Sequence, residues 1–138
     1  MYHGDVTDPA AELVVRAASL IRHLRRDIGI PATYRVLAVL DDLGPTTVSE
    51  LAVAGGTSQP TMSAQVADLV AEGLVTRAPH PGDARAQLLT MTDAGRAQLD
   101  QHRRRIADAI RGQLSSHTPE EIATAVAVLR SLTEKGTS

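Results

Sequence analysis

Two helix starts crowd into the stretch from Thr47 to Ser58, with only a Gly-Gly pair to separate the helices they open. Thr47-Val48-Ser49-Glu50 has the form of a capping box. In such a box the Thr hydroxyl accepts from the backbone N–H three residues on, and the Glu side chain reaches back. The helix it opens is short, with Val48, Leu51 and Ala52 on its apolar side before Gly55-Gly56. Thr57-Ser58 caps the next helix, which carries Pro60 in its first turn, where proline is tolerated. Met62, Val66, Leu69 and Val70 recur at helical spacing, and Gly73 ends the run. A short helix, a tight glycine turn and a second helix make a helix-turn-helix unit over residues 47–73.

After Gly73 the period changes. Leu74-Val75-Thr76-Arg77 and Gln87-Leu88-Leu89-Thr90-Met91 read as strands. The turn residues Pro79-His80-Pro81-Gly82-Asp83 lie between them. The expectation is a β-hairpin attached to the helix-turn-helix, a wing. The flanks are helical. Asp8-Pro9 opens a first helix with Leu13, Ala17, Leu20, Ile21, Leu24 and Ile28 apolar, and Gly29 stops it. Pro31 opens a second, which Gly44-Pro45 closes. Thr92 or Asp93 starts a long helix to about Ser115, and Thr118-Pro119-Glu120-Glu121 is a capping box for a last one. The fold class predicted is mainly α with one short β-hairpin, a winged helix-turn-helix in a single domain spanning 1–138.

Composition narrows the functional classes. Only 1% of residues are aromatic against 43% hydrophobic, so the core is aliphatic. There is no Cys, which excludes disulfides and thiolate metal sites in this chain. No apolar run reaches the ~18–20 residues that span a bilayer, and Met1 to Pro9 is polar, so no membrane association and a cytoplasmic location are expected. The five histidines are scattered, and no phosphate loop, nucleophile elbow or HExxH motif occurs. The chain reads as a non-enzyme with no cofactor and no metal. Its net charge of −2 is at odds with the basic patch expected of a DNA binder.

Leu51-Ala52, Gly56-Thr57-Ser58, Thr61, Leu69 and Gly73-Leu74-Val75 together resemble the helix-turn-helix of the MarR family of regulators. Asp83-Ala84-Arg85, then Leu89, Met91-Thr92 and Gly95, is similar to that family's wing signature, with Met91 where the family has Leu. The resemblance covers residues 9–135 in order of elements. It implies a homodimer, dimerised through its N- and C-terminal helices (residues 8–30 and 93–136), around a winged lobe at residues 31–92. It also implies a transcriptional regulator, commonly a repressor, on a palindromic site in double-stranded DNA. A small-molecule effector held between the lobes is implied as well.

The DNA-binding candidates are Thr47, Ser58, Gln59, Thr61, Ser63, Ala64, Arg77, Asp83 and Arg85. Hydroxyls at the start of the second helix-turn-helix helix can bond phosphates or bases, and Gln can read adenine. Ser58 and Thr61 have capping as an alternative role. The resemblance places Arg85 at the minor groove, whose negative potential attracts Arg, with Asp83 holding the tip. The alternative is an Arg that only pairs with Asp83. Arg77 is a candidate phosphate contact. His80 sits at the tip with no role required.

Three departures from the family pattern bear on affinity. Ala64 and Asp68 stand where it often has Arg, Gly55 stands where it has a buried Leu, and residues 31–91 carry three Arg against six acids. A weak or weakly salt-dependent binder follows. The alternative is a degenerate winged-helix module with little DNA affinity. For an effector the candidates are Arg16, His23 and Tyr34, with ordinary interface roles as the alternative; without Phe or Trp, an aliphatic pocket fits at least as well as an aromatic one. Arg103-Arg104-Arg105 is read as a solvated run, or one paired with Asp100 and Asp108 across a dimer.

Overall fold

The computed structural model describes residues 8–134; positions 135 and 136, the end of the second expected dimerisation segment, lie outside them. Eight elements follow in order: α1 (Pro9–Ile28), α2 (Ala32–Leu43), α3 (Val48–Ala54), α4 (Gln59–Ala71), β1 (Val75–His80), β2 (Asp83–Met91), α5 (Asp93–Leu114) and α6 (Pro119–Thr133). Asp8 caps α1 through the Ala10 N–H at 3.0 Å. Gly29 ends it with φ at +66°, a left-handed conformation that glycine adopts freely.

The core belongs to the middle of the chain. Leu37, Leu40, Leu51, Met62, Val66, Leu69, Leu89 and Leu99 are buried together, drawn from α2, α3, α4, β2 and α5. Each such aliphatic side chain contributes about 1.5–3 kcal/mol on removal from water. The outer helices contribute almost nothing to this core. Leu24 is the one buried residue of α1, and α6 has none.

The helix-turn-helix forms as its caps predict, with one correction. The Thr47 hydroxyl accepts from the Glu50 N–H at 3.2 Å. The Glu50 carboxylate, however, does not return to the Thr47 backbone; it accepts from the hydroxyl of Thr46 instead. Thr46 is buried, and its backbone exchanges two hydrogen bonds with Leu89 (3.2 and 2.7 Å). The segment before α3 is thereby stitched to β2, and a buried hydroxyl there needs the acceptor more than an exposed N–H does. At the α6 start the reciprocal box is complete: Thr118 Oγ1 accepts from Glu121 N–H and the Thr118 N–H donates to Glu121.

The wing strands run longer than the turn residues suggested. Pro79, His80 and Asp83 lie within the strands, and only Pro81-Gly82 remains as the turn. β1 and β2 pair antiparallel with a bulge between Pro79 and His80. β1 is an edge strand of a two-stranded sheet, where Pro is tolerated because no further strand needs its missing donor. The tip is tied locally. Gly82 N–H donates to His80 Nδ1 at 2.9 Å, and Arg85 N–H donates to Asp83 Oδ1 at 2.9 Å.

The first turns of α5 pack into the lobe. Leu99 is fully buried, and Gly95 lies so close to the residue before β1 that a Cβ would sit 2.2 Å from the Leu74 carbonyl oxygen. Within the basic run Arg104 is exposed, as a solvated residue is expected to be, while its two neighbours are tied within the chain. Arg103 reaches back to Asp41 of α2 at 3.0 Å, and Arg105 donates to the Ile28 carbonyl at 3.3 Å. Asp108 pairs with Arg111 of its own helix at 3.1 Å. Arg96 adds a second tie to Asp41 at 2.7 Å. Hydrogen bonding from Arg96, joined by that from Arg103, holds the Asp41 carboxyl below its ordinary range against the opposing effect of burial.

Candidate nucleic-acid interface

The wing folds over the starts of α3 and α4 and leaves an open groove of about 980 Å³ between them. α3 supplies its cap Thr47 with Val48 and Ser49; α4 supplies Gln59, Pro60 and Ser63; the strands supply Arg77, Pro79 and residues 83–87. Six of the sequence candidates therefore meet on one surface: Thr47, Gln59, Ser63, Arg77, Asp83 and Arg85. Ser58, Thr61 and Ala64 are exposed on the same end of α4 but do not line the groove.

Local hydrogen bonding sorts their roles. Ser58 Oγ accepts from the Thr61 N–H at 3.3 Å and donates to Thr61 Oγ1 at 2.9 Å. Both hydroxyls are thus engaged in capping, the alternative the sequence left open for them. Asp83 spends its carboxylate on the backbone of Arg85, not on its guanidinium. Among the described residues no ion pair involves Arg85, so its charge is free at the wing. Arg77 Nη1 lies 3.4 Å from Gln87 Oε1, which steadies the guanidinium without neutralising it.

Ser49, Pro60 and Gln87 also line the groove and were missed in the sequence. Strand alternation carried a signal for Gln87, because residues 85 and 87 point to the same face of β2. Ser49 had no comparable signal beyond its place in the cap sequence.

Most acids of the lobe lie away from the groove. Of the six acids in residues 31–91, Asp83 alone lines the groove, beside Arg77 and Arg85. Asp41 is taken by α5 arginines, and Glu50 by Thr46.

A second cavity, about 510 Å³, opens between α1, α2 and the α3–α4 turn. Its walls include Ile21, Leu24, Tyr34, Val39, Met62 and Ile106, with Arg25, Arg35, Thr57 and Gln65 as polar groups. Tyr34 lies there as expected of a lining residue, edge-on to His102 at 5.7 Å between ring centres. Arg16 and His23 do not. Arg16 pairs with Glu12 at 3.1 Å on the exposed side of α1, and His23 is exposed. Helical geometry accounts for this: residues 16 and 23 share one flank of α1, while Ile21 and Arg25 share the other, which faces the cavity. Gly55 borders the same space; a Cβ there would come 3.3 Å from Met62 Cε, so Met62 occupies room that a larger residue would claim.

Residues 30–86 match the pattern of the MarR family. The chain is 39% identical over 75 residues to YxaD of Bacillus subtilis, an uncharacterised HTH-type transcriptional regulator; the match covers 53% of this chain and 52% of the relative. It is 37% identical over 67 residues to NicR, an HTH-type transcriptional repressor of Pseudomonas putida, covering 49% of this chain and 42% of the relative. The matched stretch thus spans about half the length of these curated relatives. The fold extends further. It superposes on BpsR of Bordetella bronchiseptica, a protein whose DNA binding is regulated by 6-hydroxynicotinic acid, with a TM-score of 0.59 and 21% identity, over 99% of this chain and 100% of that one. Residues 30–86 are thus similar in sequence to the MarR family, and the chain as a whole shares the fold of BpsR.

Proposed function

We propose that the chain is a dimeric transcriptional regulator that binds a palindromic site in double-stranded DNA, acting as a repressor in the cytoplasm without catalysis. The observation that carries this reading is the groove, where two capped helix starts and two hairpin arginines converge on one surface. In it α4 enters the major groove, with Gln59 and Ser63 toward base edges, and Thr47 and Arg77 meet phosphates. Arg85 reaches the minor groove from a wing that Asp83 holds in shape. Ser58 and Thr61 secure the helix start, and Ala64 leaves room for close approach.

Dimerisation is supported by surface left over in one chain. Val126, Leu129 and Leu132 of α6 are 47%, 46% and 65% exposed, and Leu13, Leu20 and Ile21 of α1 are exposed as well. Apolar faces of this extent on two helices are covered in a stable protein, and a two-fold pairing of residues 8–30 and 93–136 covers them while presenting two wings to a palindrome. The second cavity supports an effector role: apolar walls with Arg25 and Arg35 suit a small carboxylate. Tyr34 lines that site; Arg16 and His23 do not line it within one chain.

A gel-shift assay with DNA upstream of the chain's own gene tests the reading. Retardation at low salt that Arg85→Ala weakens about tenfold or more supports it. No retardation with any fragment of that locus overturns it in favour of a winged-helix module without DNA affinity.

A further inference from the structure

We infer that Asp41 is a positioning residue that fixes the angle between the winged lobe and the α5 stalk, and through it the spacing of the two recognition helices in a dimer. The spacing part rests on the DNA-binding reading above; the angular part does not.

Beyond residue 100, α5 meets the lobe through partly buried side chains, with His102 edge-on to Tyr34 and Ile106 at the second cavity. Gly95 and Leu99 are its buried residues; from residue 100 to Leu114 none is buried. An apolar contact such as that of Leu99 resists separation but is non-directional, so it leaves roll and tilt weakly defined. Arg96, Leu99 and Arg103 fall at i, i+3 and i+7, one stripe of the helix. Asp41 supplies the missing direction. Its Oδ1 accepts from Arg96 at 2.7 Å and its Oδ2 from Arg103 at 3.0 Å. Two anchor points two turns apart, about 10 Å along the axis, tie the helix to one carboxylate. Its neighbour Asp42 is exposed and makes no ion pair among the described residues.

Magnitudes say where the effect appears. Partly exposed ion pairs contribute little to stability. A lever does not need much. The fourteen steps from Asp100 to Leu114 span about 21 Å at 1.5 Å each. A tilt of about 10° moves the far end by about 4 Å, comparable with the 3.4 Å between successive base pairs. A small loss of angular definition is thus a one-base-pair uncertainty in where the second recognition helix lands.

The chain has no cysteine, so spin labels can be placed at Ala71→Cys on α4 and Gln113→Cys on α5, diluted with unlabelled chain. The expected result is one narrow distance distribution in the parent and in Asp42→Asn. Asp41→Asn broadens or shifts it by about 4 Å, with the melting temperature changed by less than about 4 °C. On DNA selected by the parent, changing the half-site spacer by one base pair costs the parent about tenfold in affinity and Asp41→Asn much less, while affinity for an isolated half-site stays the same. The proposal is overturned if Asp41→Asn gives the same distribution as Asp42→Asn, or if its affinity falls equally for every spacer. Broadening by Asp41→Asn, with a parent that binds no DNA, leaves the joint standing and removes the regulator reading. Should Asp41→Asn fail to fold, Arg103→Gln removes one tie only; an unchanged distribution in that variant overturns the joint.

Discussion

Arg85 and Gly95 show how much a single position can carry, in opposite ways. Arg85 acts through what it does not touch: Asp83 binds its backbone, and the guanidinium is left for an external anion. Asp83→Ala is therefore expected to weaken DNA binding even though it removes a negative charge from the groove, because the tip loses the hydrogen bond that shapes it. Fluorescence anisotropy at fixed salt measures this, and tighter binding by the variant would contradict the role given to Asp83. Gly95 acts through absence of a side chain. With the Leu74 oxygen 2.2 Å from where a Cβ would stand, Gly95→Ala should cost about 3 kcal/mol in urea unfolding. Arg85 was singled out by the resemblance of Asp83-Ala84-Arg85 and Gly95 to the family's wing signature. The sequence did not reveal that Arg25 and Arg35 border the inner cavity, because the sides of α1 and α2 that face inward depend on their packing and not on the pattern within either helix.

At the level of elements, the caps were readable because each is local: Thr47, Ser58, Thr92 and Thr118 each bond an N–H three residues ahead. Non-local partners were not. Glu50 turned to a neighbour made important by pairing with β2, and Arg103 found its acid on α2. The wing was underestimated for the same reason, since Pro and Gly mark turns locally while the ladder opposite decides where the strands end. Two outcomes follow. Thr118→Ala breaks a complete capping box and should destabilise α6 by about 1 kcal/mol, read as loss of helicity on heating. Asp41, whose carboxyl is held below its ordinary value of about 3.9, stabilises the folded state fully above that value and loses this contribution as pH falls through the lower folded one. The urea midpoint should therefore decline less steeply below pH ~4 in Asp41→Asn than in the parent.

For the whole molecule, charge and shape decide the expected behaviour on DNA. Two groove arginines per subunit give about four phosphate or groove contacts per dimer, so the slope of log affinity against log salt should be near −4, well short of strongly basic regulators. A slope near −10 would mean that arginines outside the groove contribute. Leu129→Asp should convert the proposed dimer to monomer in sedimentation, since that face is exposed among the described residues. One further consequence lies in the short seam where Thr46 and Leu89 trade backbone bonds. It welds the two parts that would inspect a duplex, helix and hairpin, into a single rigid caliper. Mutation can change what each jaw recognises by swapping its tips, but the opening between the jaws is a property of the main chain and should survive every such change.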